Sequence, residues 1–294
     1  MPVLLKEVIE ILNPQPGEFF IDGTLGSGGH AVKIFEKILP GGKLLGLDLD
    51  GNNLKIAESK ILASIKYPVS SIKQNLILIH GNYADLPEIL EWEKLGKADG
   101  LLLDLGFSSE HLQSGRGFSF LKNEPLDMRY NTKTKMTAGE VVSSFSEKDL
   151  AEIFYKYGEE RYSRQIAKKI ITERKRKSIK TTFDLVEIIG GGKDRIHPAT
   201  RVFQALRIYV NDELGNLEKL LKNIDKIIKG RVAIISFHSL EDRLVKNYFR
   251  DLKNQGKAQI LTKKPIRPSG EEIQINPRSR SAKLRVLYLV ASSK

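Results

Sequence analysis

Short apolar runs alternate with amphipathic stretches along the first hundred residues. The apolar runs predict strands at Phe19–Ile21, Lys43–Leu47, Leu76–Ile79 and Gly100–Leu103. The stretches between them have the apolar spacing of helices, at Ala31–Leu39, Asn53–Ile65 and Leu86–Lys94. Short apolar strands joined by amphipathic helices are typical of a parallel sheet with crossover helices.

The alternation stops near residue 107 and resumes near residue 232. No segment between them predicts a strand, and helices are predicted at Ala138–Phe145, Glu147–Tyr157, Glu160–Lys175, Phe183–Ile189 and Pro198–Val210. A strand at Val232–Phe237, a helix at Leu240–Leu252 and strands at Ala258–Lys263 and Leu284–Val290 follow. The two closing strands predict an antiparallel hairpin at the sheet edge.

Together these elements predict an α/β fold, with a Rossmann-like seven-stranded sheet and an inserted all-helical domain. The sheet domain is predicted to comprise residues 1–107 and 213–294, and the helical domain residues 108–212.

A glycine-rich turn, Asp22–His30, follows the first strand and opens a helix. Such a turn suits a nucleotide-type cofactor, because Gly26, Gly28 and Gly29 let the ligand approach the backbone and the helix N-terminus points at it. The carboxylate of Asp22 would repel the pyrophosphate of a dinucleotide at short range. The sulfonium and ammonium of S-adenosylmethionine are cations, so the turn favours this cofactor.

Further candidate ligands of the cofactor or the substrate follow the next predicted strands. Asp48 follows the turn at about the 20-residue distance at which an acid binds ribose hydroxyls. Asp22 and Asp48 are alternatively helix caps without a ligand. Tyr83 either contacts the adenine or is a partly exposed aromatic at a strand end. Asp104 either accepts hydrogen bonds from the exocyclic amine that receives the methyl group or binds the methionine end of the cofactor, and the sequence leaves both roles open.

Three residues in the second half of the chain are candidate phosphate ligands. His238 follows the fifth predicted strand, where it serves as an acid, a base or a phosphate ligand, or orders the turn into the next helix. Arg201 and Arg207 lie on the predicted helix that begins at Pro198.

The amino-acid composition indicates the kind of partner that the protein binds. The chain has 294 residues with 48 Lys+Arg against 36 Asp+Glu, a formal net charge of +12. Such an excess indicates a polyanionic partner, with nucleic acid first, or else a lysine-rich surface kept for solubility. The basic residues of 161–177 and of 263–285 favour RNA as the partner.

The chain has no cysteine, which excludes disulfides and thiolate zinc sites and fits a reducing cytoplasm. No apolar run approaches the ~20 residues of a membrane span, so a soluble, cytoplasmic protein without a membrane partner is expected.

Eight segments of the chain resemble one family, the bacterial RsmH (MraW) methyltransferases, which modify N4 of a cytidine in the decoding region of 16S ribosomal RNA. The segments are Pro2–Val8, Asp22–His30, Asp99–Ser109, Arg116–Phe120, Pro125–Arg129, Pro198–Glu213, Ser236–Arg243 and Asn276–Arg285. They extend over essentially the whole chain and are far more specific than the glycine-rich turn alone.

The resemblance implies a class I methyltransferase core, S-adenosylmethionine as the cofactor and an inserted helical domain that recognises the substrate. The implied partner is 16S rRNA, expected within a small ribosomal subunit, although free RNA and the oligomeric state stay open. The implied cofactor contacts are Gly28, Gly29, His30, Asp48, Tyr83 and Asp104. The chain departs from the family at His111, which stands in place of a glutamine contact, and at Tyr83, where phenylalanine is frequent. No compact ligand cluster stands out in the sequence, so no metal is predicted.

Three alternatives compete with an RNA cytidine methyltransferase, and the first is a methyltransferase of the same core that acts on DNA or a small molecule. A DNA amine methyltransferase usually carries Pro-Pro-Tyr after the acidic or polar residue of the fourth strand, whereas Asp104 is followed by Leu105-Gly106-Phe107. A nucleotide-dependent oxidoreductase is disfavoured by Asp22. An RNA-binding assembly factor with a vestigial fold would lack affinity for the cofactor, and nothing in the intact turn supports it.

Overall fold

The computed structural model describes residues 2–134, 136–191 and 197–290, apart from the side chain of Ser109. The chain divides into two compact units, Met1–Gly106 with Leu214–Lys294, and Phe107–Glu213. The sequence placed the corresponding boundaries at 107/108 and 212/213. That the helical unit recognises the substrate stays a prediction.

The first unit is built on a seven-stranded mixed sheet with the order β3-β2-β1-β4-β5-β7-β6. Its strands are β1 (Phe19–Asp22), β2 (Lys43–Asp48), β3 (Leu76–His80), β4 (Ala98–Asp104), β5 (Ile228–Ser236), β6 (Ala258–Ile260) and β7 (Lys283–Leu289). Strands β1 to β5 pair in parallel, and β7 pairs antiparallel with both β5 and β6. The predicted α/β fold with seven strands is confirmed. The closing pair is antiparallel as predicted, with β7 inside the sheet and only β6 at its edge.

Eight α-helices of the described chain belong wholly or mainly to the first unit, and a 3₁₀ turn follows β3. They are α1 (Leu5–Leu12), α2 (Gly29–Ile38), α3 (Gly51–Ser64), α4 (Val69–Ile72), α5 (Leu86–Trp92), α12 (Glu213–Ile227), α13 (Ser239–Asn254), α14 (Gly270–Ile275) and the 3₁₀ turn Tyr83–Asp85. No helix was predicted from the sequence at α1, α4, α12 or α14. Four apolar residues of α12 recur at helical spacing and are buried, so the sequence did contain a signal for this helix: Leu217, Leu220, Leu221 and Ile224.

Side chains of the sheet alternate between two hydrophobic cores. Leu101 and Leu103 of β4 belong to the core that contains the apolar face of α12, whereas Leu102 belongs to the core that contains Val8 and Phe35. Because successive residues of a strand point to opposite faces, a run of apolar residues in β4 requires cover on both sides. The sheet is therefore rigidly packed, and the residues at its carboxyl edge are held by it.

The second unit is helical. It contains α6 (Ser109–Gln113), α7 (Ala138–Ser144), α8 (Glu147–Gly158), α9 (Ser163–Arg174), α10 (Thr182–Ile189) and α11 (Pro198–Asn211). Within residues 107–134, 136–191 and 197–213 no strand forms, and a single bridge joins Pro125 to Thr181. No helix of the described chain is both long and apolar enough to cross a membrane.

Candidate active site

Three strands of the sheet end in aspartates at one edge. Asp22, Asp48 and Asp104 are the last residues of β1, β2 and β4. Strand β1 lies between β2 and β4 and pairs in parallel with both, so the three carboxyl groups follow the same edge. The connections from β1 and β4 leave in opposite directions along the sheet, which is the switch point where open α/β sheets bind their ligands.

The glycine-rich turn is tied to the strands on either side of it. The Gly23 N–H donates to the Leu102 carbonyl at 3.0 Å, and the Leu25 N–H donates to the Leu47 carbonyl at 2.8 Å. Gly26 has a φ of +52°, and a Cβ there would meet nothing closer than 4.0 Å. The turn is thus fixed from behind by two strands, and at Gly26 its backbone has open space beside it.

Gly28 closes the turn at the start of α2. Its φ is +77°, and a Cβ on it would lie 3.1 Å from the Ala57 Cβ and 3.2 Å from the Ala57 Cα. Because a left-handed backbone disfavours any side chain and the backbone of α3 cannot easily move, only glycine suits this position. The turn and α3 are in direct contact here, so their relative position depends on this glycine.

Gly28→Ala is expected to lower the free energy of unfolding by about 2 to 5 kcal/mol, from left-handed strain plus overpacking. The matched control is Gly17→Ala, where φ is +85° and no atom lies within 4 Å, so only the strain applies. Urea denaturation of both variants measures the difference. Equal losses would show that the contact with Ala57 is not restrictive.

Asp48 holds the turn as well as occupying the strand end. Its Oδ2 accepts from the Gly26 N–H at 2.8 Å, while its Oδ1 accepts from the Asp50 N–H at 2.7 Å and from Asn53 Nδ2 at 3.2 Å. Burial raises the pKa of Asp48, and these donors offset part of the rise. The sequence did not predict this second function of the carboxylate.

Burial and neighbouring acids disfavour the anionic forms of Asp22 and Asp104. Burial raises the pKa of Asp22 to about 7, with a further rise from Asp48 and a decrease from the Thr24 N–H that donates to it. Burial raises the pKa of Asp104 to about 8, and the negative charges of Asp22 and Glu241 add to this. Negative charge at this edge is therefore under-compensated by the protein itself.

Asp104 has one carboxyl oxygen without a partner among the described residues. Its backbone N–H donates to the Thr24 Oγ1 at 2.6 Å, which fixes the end of β4 against the turn. Its Oδ1 is buried and forms no hydrogen bond with any residue that the structure describes. A buried carboxyl oxygen normally has a partner, so this atom is suited to a ligand donor. Thr24 was not among the predicted site residues.

His30 is buried beside the same carboxyl group. Its Nε2 lies 2.9 Å from the Val3 carbonyl oxygen, and its Nδ1 lies 3.7 Å from Asp104 Oδ2. Burial lowers the pKa of His30 to about 4, so the ring is neutral at physiological pH. The side chain that follows the two glycines thus turns inward to the acid.

Tyr83 and His111 occupy different surroundings. Tyr83 opens the 3₁₀ turn after β3, and a Cβ on Gly23 would lie 3.1 Å from its Cβ, which places it beside the turn. His111 belongs to the second unit, where its Nδ1 accepts from the Ser108 N–H at 3.0 Å and its ring packs 5.1 Å from Phe118 and 4.9 Å from Tyr130. The predicted cofactor contact of His111 stays a prediction.

The three candidate phosphate ligands form contacts with nearby side chains or backbone groups of the protein. His238 caps α13, with its Nδ1 accepting from the Glu241 N–H at 3.3 Å, so it orders the turn after β5 as the second interpretation held. The Arg207 guanidinium contacts both carboxylate oxygens of Glu213, at 2.8 and 3.0 Å. Arg201 lies 3.4 Å from a carboxylate oxygen of the buried Glu160.

The strand order and the acids at the carboxyl edge define the protein as a methyltransferase of the α/β class. The chain belongs to the MraW methylase family, which it matches over residues 1–289. It is 46% identical to ribosomal RNA small subunit methyltransferase H of Coprothermobacter proteolyticus, over 97% of this chain and 94% of that protein. It is 45% identical to the protein of the same name from Thermotoga neapolitana, over 99% and 96% of the two chains. The corresponding protein of Syntrophus aciditrophicus is 44% identical over 97% and 95%.

Proposed function

We propose that this protein transfers a methyl group from S-adenosylmethionine to N4 of a cytidine in the decoding region of 16S ribosomal RNA. The observation that carries the proposal is the pair of buried carboxyls of Asp22 and Asp104, whose ionised forms the protein itself does not compensate, beside a turn with open space at Gly26. Ribosomal RNA as substrate is supported by the names of the relatives. Such a reaction belongs in the cytoplasm.

The residues at the sheet edge fit this cofactor. Asp22 and Asp104 complement its cationic groups, Asp48 has the position for the ribose hydroxyls, and Tyr83 has the position for the adenine. The buried Asp104 Oδ1 offers an acceptor to an ammonium or amine N–H. When bound, the cofactor supplies an activated methyl group on a sulfonium, and the protein has to align the acceptor amine with it.

The proposed function is tested by methylation of purified 16S rRNA and of small ribosomal subunits with methyl-labelled cofactor. The expected product after nucleoside digestion is labelled N4-methylcytidine, mapped to one position in the decoding region. The two substrates are compared in parallel, because the preferred one shows whether methylation precedes or follows assembly. Label in another nucleoside, or no transfer to either substrate, would refute the proposal.

Binding of the cofactor is expected to release protons near neutral pH. The raised pKa values, about 7 for Asp22 and about 8 for Asp104, mean that both carboxyls are partly or largely protonated at pH 7, and a cationic ligand favours their ionised forms. Affinity should therefore increase as the pH rises from 6 to about 8. Calorimetry in buffers of different ionisation enthalpy measures the protons released.

S-adenosylhomocysteine, which lacks the sulfonium charge, provides the control and should release fewer protons. An enthalpy of binding that is independent of the buffer at pH 7 would contradict the expected linkage.

The proposed RNA contacts lie on one helix of the second unit. Arg164 and Lys168 of α9 and Lys175 at its end are exposed and form no ion pair with the described residues. In the same basic stretch, Arg176 lies 3.3 Å from Glu173 and Lys177 lies 2.8 Å from Asp184. Only some of the basic residues that suggested RNA binding are therefore available to phosphates.

Changing Arg164, Lys168 and Lys175 together to glutamine should flatten the salt dependence of RNA binding. Each lost phosphate contact reduces the slope of log K against log salt by about 0.7 to 0.9, so the triple variant should lose about 2. The control removes one positive charge at Lys222, which pairs with Glu218 in the first unit. A slope of log K against log salt equal to that of the parent would show that these three side chains contact solvent and not RNA.

A further inference from the structure

The N-terminal segment Pro2–Leu4 is fixed between the glycine-rich turn and α14. A Cβ on Gly29 would lie 2.6 Å from the Pro2 Cγ, so the proline ring packs directly on the turn. Leu4 has a left-handed φ of 53°, and its N–H donates to Glu272 Oε1 at 2.8 Å. This segment therefore presents the Val3 carbonyl at a defined position.

The Val3 carbonyl determines which nitrogen of His30 carries the proton. A carbonyl oxygen only accepts hydrogen bonds, so the His30 Nε2 at 2.9 Å from it must be the protonated nitrogen. In a neutral imidazole the other nitrogen then has a free lone pair. That nitrogen, Nδ1, lies 3.7 Å from Asp104 Oδ2.

A lone pair and a carboxylate oxygen repel each other unless a proton lies between them. The groups that face Asp104 are His30 on α2, Asp22 on β1 and Glu241 on α13, and the two acids disfavour its anion. Asp104 is therefore largely protonated in the free protein near pH 7, and the lone pair of the neutral His30 is the neighbouring group that favours this protonated form.

We propose that His30 is a positioning residue: its unprotonated Nδ1 faces Asp104 Oδ2 at 3.7 Å, favours the protonated form of that carboxyl and so sets its proton affinity for the reaction. The inference rests on the proposed function in one respect, the identity of the acceptor as an amine. As the N–C bond to the methyl group forms and the C–S bond breaks with its electron pair going to sulfur, the amine loses one proton. Binding of the cationic cofactor first releases the proton that Asp104 holds in the free protein. The resulting carboxylate then takes up the proton from the amine, and His30 Nδ1 stabilises the protonated form that results.

The pair is tested first without cofactor or RNA, by ¹⁵N spectroscopy of the histidine rings. His30 should show a protonated Nε2 and a bare Nδ1, and the Nδ1 shift should change as the pH passes through the ionisation of Asp104. This change should be absent in Asp104→Asn. A His30 ring protonated on Nδ1, or one insensitive to Asp104, would overturn the proposal whatever the substrate of the enzyme is.

Two substitutions then separate positioning from simple structural support. His30→Gln places an amide near the former Nε2, keeping a donor for Val3 and losing the acceptor for Asp104. His30→Asn places its amide near the former Nδ1 and loses the bond to Val3. Positioning predicts that the Gln variant keeps its Tm and loses at least about tenfold in single-turnover rate. The acidic limb of its profile of rate against pH should move to lower pH, because the protonated form of Asp104 is no longer stabilised.

The Asn variant should have the lower Tm and the smaller loss of rate. The control is His80→Gln, because His80 Nε2 also lies 2.9 Å from a carbonyl, that of Leu49, and has no ion pair with the described acids. A Gln variant with the parental rate and pH profile would show that His30 only anchors the N-terminal segment. Complete absence of methyl transfer by the parent would refute the proposed function and leave the spectroscopic test of the pair intact.

Discussion

Asp104→Asn should reduce the turnover of methyl transfer by about 100-fold or more, the range expected when a group that accepts a proton is lost. Asparagine has nearly the same shape and keeps the backbone N–H that donates to Thr24 Oγ1 at 2.6 Å. It has no negative charge and cannot take up a proton. Single-turnover rates and cofactor dissociation constants, measured together, report where the loss occurs.

The split between rate and affinity decides between the two roles that the sequence left open. If Asp104 acts on the acceptor amine, the rate falls far more than the affinity for the cofactor. Equal losses would instead assign Asp104 to the methionine end of the cofactor. The control is Asp99→Asn at the opposite end of β4, where the carboxylate accepts from the Phe19 N–H at 3.0 Å and contacts Lys229. Its turnover should match that of the parent.

The same variant should be more stable than the parent at alkaline pH. The pKa of Asp104 rises from its ordinary 3.8 to about 8 on folding, so between these values the folded protein binds more protons than the unfolded one. The free energy of unfolding therefore falls as the pH rises through this interval. Asparagine removes that dependence, and thermal unfolding at pH 9 should show a higher Tm than the parent. A lower Tm would mean that Asp104 is stabilised as an anion.

Asp48→Ala should weaken cofactor binding by at least about 100-fold, since hydrogen bonds from two ribose hydroxyls to a carboxylate contribute about 1.5 to 3 kcal/mol each. The structure adds a second source of loss, because Asp48 also accepts from the Gly26 N–H at 2.8 Å. Calorimetry with the cofactor measures the total. An unchanged affinity would remove Asp48 from the ribose role.

The ribose contribution is separated from that of the turn by a second ligand. A 2′-deoxy analogue of S-adenosylhomocysteine should bind the parent more weakly than S-adenosylhomocysteine does, and this difference should vanish in Asp48→Ala. A difference that persists would place the hydroxyl elsewhere. The control is Asp50→Ala, which removes a cap of α3, where the carboxylate accepts from the Asn52 N–H at 3.0 Å. It should lower stability by about 1 kcal/mol and leave the difference between the ligands unchanged.

Much of the fold was accessible from the chain because the relevant information is local. A buried strand between helices requires a short apolar run, and β1 to β4 were predicted near their observed bounds for this reason. The position of β7 within the sheet could not be predicted from the sequence. Its pairing with β5 depends on which edge is free once the parallel strands have assembled, and no short segment of sequence encodes that.

The candidate site shows the same division. The residue order alone predicts that Asp22, Asp48 and Asp104 stand at strand ends and therefore at one edge, because parallel strands share their direction. Their ionisation depends on the folded protein, since burial and the proximity of Asp22 and Glu241 to Asp104 act through space. The fold likewise brought Val3 to His30 and His30 to Asp104, three residues far apart in the chain. Residue types and periodicity can be read from short segments of the chain, whereas desolvation and hydrogen-bond partners depend on the surroundings in the folded protein.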